Sequence, residues 1–176
     1  MCGYHIPVND DRLAAALAKL LREKHDVILM HENEKDIYGD VLSRCVDLMQ
    51  TLNSAHFKSA FDFANFVQCG EDTAKCWDAL RPYIVYIHIK DAVSTDKENV
   101  LCGTGEGKIP ELLHKAIVEE GYTGFLTLEP HLVLFDSLQS LETTDAKNII
   151  RENKYKNGAE GYAAQYHALC DILAKF

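Results

Sequence analysis

Three features are missing from this 176-residue chain: a long apolar run, an N-terminal signal peptide and a dense cluster of basic residues. No segment approaches the ~20 apolar residues that a membrane-spanning helix needs, and the N-terminus does not resemble a secretory signal. A cytoplasmic location is therefore expected. The formal net charge of -9 argues against sequence-independent binding of nucleic-acid phosphates, which depends on many Lys and Arg side chains. We expect neither a membrane nor a nucleic-acid partner, and a small molecule instead.

Closely spaced cysteine pairs are also missing. The six cysteines are spread along the chain without a Cys-x-x-Cys motif, and a chain of this size needs no disulfide bonds to fold. They are interpreted as reduced, mostly buried thiols. With 47% hydrophobic residues the chain can form one sizeable core, so residues 1–176 are expected to make a single domain.

The spacing of apolar residues alternates between extended and helical periods, which is typical of repeated strand–helix units. Short apolar runs predict strands at residues 27–30, 59–63, 84–89 and 125–128. Helical spacing predicts helices at about 13–21, 41–52, 72–80, 110–117 and 162–173. The apolar helix faces and Trp77 are assigned to the core. The polar, aperiodic stretch at 132–158 predicts a lid or a poorly ordered insertion.

Four of the apolar runs end in side chains that can bind a metal ion or carry a proton. These are Glu32 (after His31), Asp62, His88 and Glu129. In an α/β barrel the carboxyl ends of the strands open to ligands, so such groups on one rim favour a hard-cation site whose carboxylates can also move protons. Any one of them, taken alone, fits equally well a polar residue that ends a strand at the solvent boundary.

Five short motifs follow one another at strand–helix spacing. They are His31-Glu32-Asn33-Glu34 with Tyr38-Gly39-Asp40, Phe61-Asp62-Phe63-Ala64-Asn65-Phe66, His88-Ile89-Lys90-Asp91, Gly103-x-Gly105-Glu106-Gly107 and Leu128-Glu129-Pro130-His131. In this order they resemble the sugar phosphate isomerase/epimerase family of xylose isomerase-like TIM barrels. The resemblance implies an α/β fold, namely a partial TIM (β/α)8 barrel with a parallel sheet. It would contain about strands four to eight with their helices, residues 3–7 being strand four.

The resemblance also implies a metal-dependent isomerase or epimerase of a sugar or sugar phosphate. It assigns the metal ligands to Glu32, Asp62, His88 and Glu129. Three carboxylates and one imidazole suit Mn²⁺ or Mg²⁺, with Co²⁺ or Zn²⁺ as alternatives. Glu32 and Glu129 become the catalytic residues: one removes a proton beside a ketose carbonyl to give an enediolate, and the other returns a proton on the opposite face. The sequence does not show which glutamate acts on which face of the substrate.

Four further residues are predicted to bind the substrate, each with a plainer alternative. Lys90 lies two residues after His88 and therefore faces the same side of the strand. It is expected to hold a substrate oxygen or phosphate, with a salt bridge to Asp91 or Glu106 as the alternative. His131 is expected to orient a ligand or to hydrogen-bond an enediolate oxygen, and the alternative is a plain surface histidine.

Asn33 and Asn65 complete this set as hydrogen-bonding side chains that also orient the carboxylates. Either asparagine could equally satisfy its own local turn. The glycine-rich segment 103–107 precedes a helix start and could cradle an anion on free backbone N–H groups. Because it lacks the dinucleotide-binding fingerprint, a flexible loop is the preferred interpretation.

A complete barrel of this kind needs roughly 250 residues and eight strands, whereas this chain supplies only about five strands. Residues 1–176 are therefore expected to form a single xylose isomerase-like domain that is truncated at its N-terminal side. An incomplete barrel leaves unpaired strand edges, here at residues 4–7 and 125–128. The isolated chain is expected to be poorly soluble or to self-associate through these edges.

Three functions remain open from the sequence. The first is the isomerase or epimerase, and the second is a dehydratase of the same superfamily that acts on a keto-inositol or related polyol. The third is an inactive truncated barrel. DNA-repair enzymes related to endonuclease IV are disfavoured because they bind three zinc ions with additional histidines, and Asn65 stands where one such histidine is expected.

Overall fold

The computed structural model describes residues 27–133 and 154–176. Within them the strands are β1 (Leu29–Glu32), β2 (Phe57–Asp62), β3 (Ile84–Ile89), β4 (Asp91–Ala92), β5 (Asn99–Val100) and β6 (Phe125–Leu128). The helices are α1 (Leu42–Leu52), α2 (Phe63–Gln68), α3 (Thr73–Leu80), α4 (Ile109–His114) and α5 (Gly158–Leu173), with a 3-10 turn at Arg81–Tyr83 and a π-helical turn at Lys115–Glu119. The strand predicted at 3–7, the helix predicted at 13–21 and most of the stretch 132–158 lie outside the described residues.

Four of these strands form one parallel sheet in the order β1-β2-β3-β6. Helices connect β1 to β2 and β2 to β3, and α4 lies between β3 and β6. This repetition of strand and helix confirms the predicted α/β class with a parallel sheet, in agreement with part of a TIM barrel. The short strands β4 and β5 form a separate antiparallel pair just beyond the end of β3.

The strand boundaries are predicted most accurately where an apolar run is clearly separated from other apolar residues. β3 and β6 begin and end where the sequence predicts, whereas β1 begins two residues late and β2 two residues early. Helix α2 is missing from the sequence prediction, which ends the preceding strand at Phe63 and assigns no element to residues 64–68. Asp62 starts this helix by capping it: its Oδ1 accepts a hydrogen bond from the main-chain N–H of Asn65 at 2.8 Å.

The core between helices and sheet is centred on aromatic rings. The ring of Phe61 lies 5.1 Å from that of Phe63, 5.1 Å from that of Phe66 and 5.4 Å from that of Trp77, in edge-on or tilted contacts. Trp77 is 1% exposed, which confirms its assignment to the core. Its Nε1 donates to Oε2 of Glu120 at 3.2 Å, so the buried indole is satisfied. This packing anchors the end of β2.

The first half of the closing helix α5 packs with a different face from the predicted one, whereas Leu169 and Leu173 of the predicted stripe lie in or against the core. Tyr162 and Tyr166, assigned to the core from the sequence, are 51% and 52% exposed. The buried positions are Gly161, Gln165, Leu169 and Ile172. The amide of Gln165 donates to the carbonyl of Ile89 at 3.0 Å and accepts from the N–H of Cys102 at 3.1 Å. The helix therefore turns a polar side chain to the sheet because main-chain groups there need partners.

The glycine-rich segment 103–107 wraps around the carboxylate of Asp91. Oδ2 of Asp91 accepts from the N–H groups of Gly103 and Gly105, and Oδ1 accepts from that of Gly107, each at 2.9 Å. A Cβ at Gly105 would collide with Oδ1 of Asp91, so glycine is required there. These three N–H groups hold a carboxylate of the chain itself and are not free for an external anion. The bonds also fix the segment, which is therefore not the flexible loop preferred from the sequence.

Five cysteines within the described residues are free thiols, and Cys45, Cys76 and Cys102 are buried. This agrees with the interpretation of reduced, mostly buried cysteines. None of the described helices combines the length and the apolar character needed to span a bilayer.

Candidate metal centre

The parallel register brings the predicted metal ligands together at one end of the sheet. Glu32 and Asp62 are the last residues of β1 and β2, and Glu129 directly follows β6. His88 lies one residue before the end of β3 and is level with Asp62 in the register of their two strands. One ligand atom from each of the four residues can be chosen so that all lie within 4.8 Å of one another. This spacing lets all four side chains reach one ion.

The imidazole of His88 lies at the centre of this group. Its Nδ1 is 2.9 Å from Oε2 of Glu129 and 3.1 Å from Oε1 of Glu32, and Oδ2 of Asp62 lies 3.9 Å away. Burial alone would lower the pKa of His88, but the hydrogen bonds to Glu129 and Glu32 outweigh it and raise this pKa to about 10. These contacts favour the protonated imidazole, and Nδ1 must give up its proton before it can bind a cation.

Lys90 supplies a second positive charge. Its side chain is 4% exposed, and its Nζ lies 3.1 Å from both Oδ2 of Asp62 and Oε2 of Glu129. Burial would lower the pKa of Lys90, whereas the two carboxylates raise it above its usual range. These contacts take the place of the salt bridge to Asp91 or Glu106 that the sequence left open.

Glu129 is ionised and oriented by its basic neighbours. Nε2 of His131 lies 3.2 Å from its Oε1, on the side away from the contact with His88. Burial by itself raises the pKa of Glu129, but the imidazoles of His131 and His88 outweigh it, so this pKa lies well below its usual range. A carboxylate kept in its charged form is suited to cation binding. His131 is half-exposed, so it remains within reach of a ligand.

The carboxylate of Asp62 has one oxygen available for a cation. While Oδ1 caps α2, Oδ2 is fully buried and accepts no hydrogen bond, although Nζ of Lys90 lies nearby. Burial raises the pKa of Asp62, and the charge of Lys90 opposes that increase. Buried carboxylate oxygens are otherwise almost always hydrogen-bonded. An oxygen of this kind fits a cation ligand.

A family model described as xylose isomerase-like TIM barrel matches residues 3–154. The chain belongs to this family. The match confirms the resemblance drawn from the sequence motifs, and it covers the strand ends that carry the candidate ligands. No curated protein matches the chain.

Solved structures of this family share the fold at low sequence identity. L-Ribulose 3-epimerase has a TM-score of 0.67 and 19% identity, covering 98% of this chain and 59% of its own. The probable 3-DHS dehydratase AsbF from Bacillus anthracis has a TM-score of 0.56 and 18% identity, covering 67% and 48%. A xylose isomerase-like TIM barrel protein from Mycobacterium smegmatis in complex with magnesium has a TM-score of 0.59 and 14% identity, covering 99% and 54%. The chain thus spans about half of the length of these structures, and identities this low establish the fold alone.

In this xylose isomerase-like chain, Asn33 bonds to the main chain of Asp62. Its Nδ2 donates to the carbonyl of Asp62 at 2.9 Å, and its Oδ1 accepts from the N–H of the same residue at 2.9 Å. Asn33 is 1% exposed and both ends of its amide are used. It therefore joins the end of β1 to the end of β2, and these contacts favour orientation of Asp62 over direct contact with a substrate.

Asn65 lies beside two residues that the motif analysis did not single out. Its Nδ2 is 3.4 Å from Oε1 of Glu32, and its Oδ1 accepts from Nζ of Lys35 at 2.9 Å. Lys35 also donates to Oε1 of Gln68 at 2.8 Å. A signal for Gln68 was available, because it follows Asn65 by three residues and so shares its side of helix α2. Lys35 lies in a loop, where no periodic pattern marks the direction of a side chain.

Proposed function

We propose that this chain is a metal-dependent isomerase or epimerase of a sugar or sugar phosphate. The supporting observation is that three carboxylates and one imidazole, carried by four parallel strands, converge within 4.8 Å. Glu32 and Glu129 reach this group from β1 and β6, which lie at opposite ends of the described sheet order. Two glutamates placed in this way can act on opposite faces of a substrate bound between them.

Glu32, Asp62, His88 and Glu129 would hold the cation. Three carboxylate oxygens and one nitrogen suit a hard divalent ion, so Mn²⁺ or Mg²⁺ is proposed before Co²⁺ or Zn²⁺. The buried Oδ2 of Asp62, which accepts no hydrogen bond, supports this assignment, as does the magnesium complex of the Mycobacterium smegmatis protein. When bound, such a cation polarises a substrate carbonyl and makes the neighbouring C–H more acidic.

Glu32 and Glu129 would carry out the proton transfers. One of them removes a proton from the carbon beside a ketose carbonyl, which gives an enediolate. The other enters the step as the protonated carboxylic acid and donates its proton to the opposite face of the same carbon, which inverts that centre and leaves this second glutamate as the carboxylate. His131 would keep the carboxylate of Glu129 in place through the contact at 3.2 Å.

The remaining predicted site residues would bind or orient rather than transfer protons to carbon. The ammonium group of Lys90 lies among the carboxylates and offers a donor to a substrate oxygen or phosphate. Asn33 would orient Asp62 through its main chain, and Asn65 would orient Glu32 through its side-chain amide.

A second candidate function is a dehydratase that acts on a keto-inositol or related polyol. The structural similarity to the probable 3-DHS dehydratase AsbF favours it. The same glutamate base would remove a proton beside the carbonyl, and the resulting enolate would expel a hydroxyl group from the next carbon. The second glutamate would then protonate this leaving hydroxyl group instead of carbon. An inactive barrel is the remaining possibility.

Turnover by the full chain with Mn²⁺ tests these functions. Ketoses and keto-inositols are incubated in D₂O, where an epimerase introduces deuterium at the inverted carbon and a dehydratase produces an unsaturated ketone. We expect the epimerase result, and we expect Glu32→Gln or Glu129→Gln to lower kcat/KM by at least ~100-fold. Glu119→Gln, at an exposed position remote from the candidate metal centre, is the matched control and should leave kcat/KM unchanged. A folded, Mn²⁺-binding chain that turns over neither panel would contradict the proposal.

A further inference from the structure

Lys35 has no part in the proposed reaction, yet its side chain is held by several oxygens between β1 and α2. Its Nζ lies 2.9 Å from Oδ1 of Asn65, 2.8 Å from Oε1 of Gln68 and 3.3 Å from Oε1 of Glu34. The side chain is 24% exposed, while Asn65 and Gln68 are 0% and 3% exposed. A lysine bound to two buried amides has a defined geometry, unlike a solvated surface charge.

This ammonium group determines which way both amides point. Lysine has N–H donors and no acceptor, so each amide must turn its oxygen toward Nζ. For Asn65 this directs Nδ2 toward Oε1 of Glu32, 3.4 Å away. For Gln68 it directs Nε2 toward the carbonyl of Lys97 at 2.8 Å and Oδ1 of Asn99 at 2.9 Å. The whole polar network is then consistent with one orientation of each amide.

We propose that Lys35 is a positioning residue that orients the carboxylate of Glu32 through the side-chain amide of Asn65. Without the ammonium group, the amide of Asn65 can rotate by half a turn and present its oxygen to Glu32. Two acceptors then face each other, and the carboxylate turns away from its place beside His88. This inference rests on the proposed function, in which Glu32 binds the cation and transfers a proton.

A purely electrostatic role for Lys35 predicts an effect of opposite sign. Removing a positive charge near a group of carboxylates would by itself strengthen the binding of Mn²⁺. A positioning role predicts weaker binding, because loss of a hydrogen-bonded partner behind a metal ligand commonly costs about 10- to 100-fold in affinity. The direction of the change therefore separates the two roles.

The first experiment measures the Mn²⁺ affinity of the full chain by isothermal titration calorimetry. Lys35→Met keeps the length of the side chain and removes its donors, whereas Lys35→Arg keeps donors without adding an acceptor. We expect Lys35→Met to weaken Mn²⁺ binding about 10-fold and Lys35→Arg to remain within about threefold of the wild type. Lys75→Met, at an exposed position on α3, controls for the loss of one positive charge. Equal or tighter binding by Lys35→Met overturns the proposal.

A double-mutant cycle tests the route through Asn65. Asn65→Ala removes the side-chain amide but keeps the main-chain N–H of this residue. That N–H donates to Oδ1 of Asp62, the residue that caps α2. If Lys35 acts through Asn65, adding Lys35→Met to Asn65→Ala should change Mn²⁺ affinity by less than about twofold. A further 10-fold loss in that background would show a separate route and overturn the inference.

A measurement without metal distinguishes failure of this inference from failure of the proposed function. In ¹⁵N-labelled, metal-free protein we expect the side-chain amide protons of Asn65 to exchange with solvent faster in Lys35→Met than in the wild type, while the far-UV circular dichroism stays the same. Unchanged exchange overturns the role of Lys35 whatever the metal data show. Faster exchange in a protein that does not bind Mn²⁺ supports the link between Lys35 and Asn65 and contradicts the proposed function.

Discussion

The two carboxylate oxygens of Asp62 have different roles: one caps a helix, and the other lies in the candidate metal centre. Oδ1 begins helix α2 by accepting the N–H of Asn65, and Oδ2 faces the basic side chains of His88 and Lys90. The main-chain N–H and carbonyl of Asp62 are both hydrogen-bonded to the side-chain amide of Asn33. Its position is therefore defined by the fold before any ligand binds, which is the property that a preorganised ligand needs.

The first prediction at this scale concerns Glu129 and Mn²⁺. A cation that binds only the folded chain stabilises it by mass action, so excess Mn²⁺ should raise the Tm of the wild type. Glu129→Gln keeps the size of the side chain and removes its charge, and we expect it to abolish most of this rise in differential scanning calorimetry. In Glu119→Gln, excess Mn²⁺ should raise the Tm as much as in the wild type. A wild-type melting curve that does not move in excess Mn²⁺ would count against the candidate metal centre.

The second prediction at this scale concerns two buried thiols. Burial raises the pKa of Cys45 and of Cys102 from the ordinary 9.0 to about 12. Because the thiolate is the reactive form, neither residue should be alkylated by iodoacetamide at pH 8 in the native chain, and both should be alkylated after unfolding. Peptide mapping by mass spectrometry reads the result. Rapid labelling of either thiol in the folded chain would contradict its burial.

The same shift gives the two thiols a defined effect on stability. In the unfolded chain they ionise near pH 9, while in the folded chain they remain protonated to about pH 12. Their contribution to the free energy of unfolding is therefore complete below pH 9 and is lost progressively as the pH rises toward 12. Replacing Cys45 by Ala should reduce this part of the pH dependence, as measured by urea unfolding at pH 8 and pH 10.

Helix α5 is attached to the sheet by one polar side chain. Gln165 is fully buried and satisfies the carbonyl of Ile89 and the N–H of Cys102, which lie far from it in sequence. Ile89 is the last residue of β3, so the helix supports the strand that carries His88. The contact links the end of the described chain to the edge of the candidate metal centre.

Loss of the Gln165 side chain is expected to destabilise the packing of α5 against the end of β3. Gln165→Ala leaves the buried N–H of Cys102 without its partner, while the carbonyl of Ile89 keeps the N–H of Glu129 at 3.3 Å. The loss should lower the free energy of unfolding by roughly 2 kcal/mol. Hydrogen exchange should accelerate at the N–H of Cys102 in particular. His167→Ala, on the exposed side of the same helix, is the control and should leave that exchange rate unchanged. Equal protection of Cys102 in both variants would contradict the anchoring role.

Elements were predictable from the sequence where a local pattern is sufficient. The apolar runs of β3 and β6 stand between clear breaks, so both strands were placed with their observed boundaries. Helix α2 was missed because its residues are as apolar as the strand before it, and only the cap by Asp62 marks the change. The face of α5 was predicted correctly at Leu169 and Leu173 but wrongly in its first half, because tyrosines at helical spacing resemble a core stripe, while Gln165 is buried for its hydrogen bonds.

At the scale of the whole molecule, the described sheet ends in strands with exposed apolar side chains. Ile28 and Met30, beside and within β1, are 51% and 45% exposed, and Phe125 at the start of β6 is 72% exposed. Within the described residues, β1 and β6 each pair with a single strand of the sheet. Sheet edges and apolar side chains of this kind favour association with another chain.

Self-association of the isolated chain is therefore predicted. We expect sedimentation velocity to show a weight-average sedimentation coefficient that rises with concentration. Phe125→Glu places a charge at the β6 edge and should shift the distribution toward the monomer. Val118→Glu, at an equally apolar position that is 52% exposed on the helical side, is the matched control. A concentration-independent monomer in the wild type would contradict this prediction.

The sequence by itself determined the ends of these four strands to within two residues, and the residue types found there, because apolar runs and the polar residues that follow them are local features. Because the strands pair in parallel, their carboxyl ends lie at the same edge of the sheet. Glu32, Asp62, His88 and Glu129 therefore meet at one rim. Only the tertiary structure decided how the charges and amides around them are shared. Lys90 forms ion pairs with Asp62 and Glu129, the glycine segment encloses Asp91, and Lys35 hydrogen-bonds to Asn65 and Gln68. The physical reason is that these contacts join side chains far apart in sequence, and no periodicity along the chain specifies the partner of a hydrogen bond.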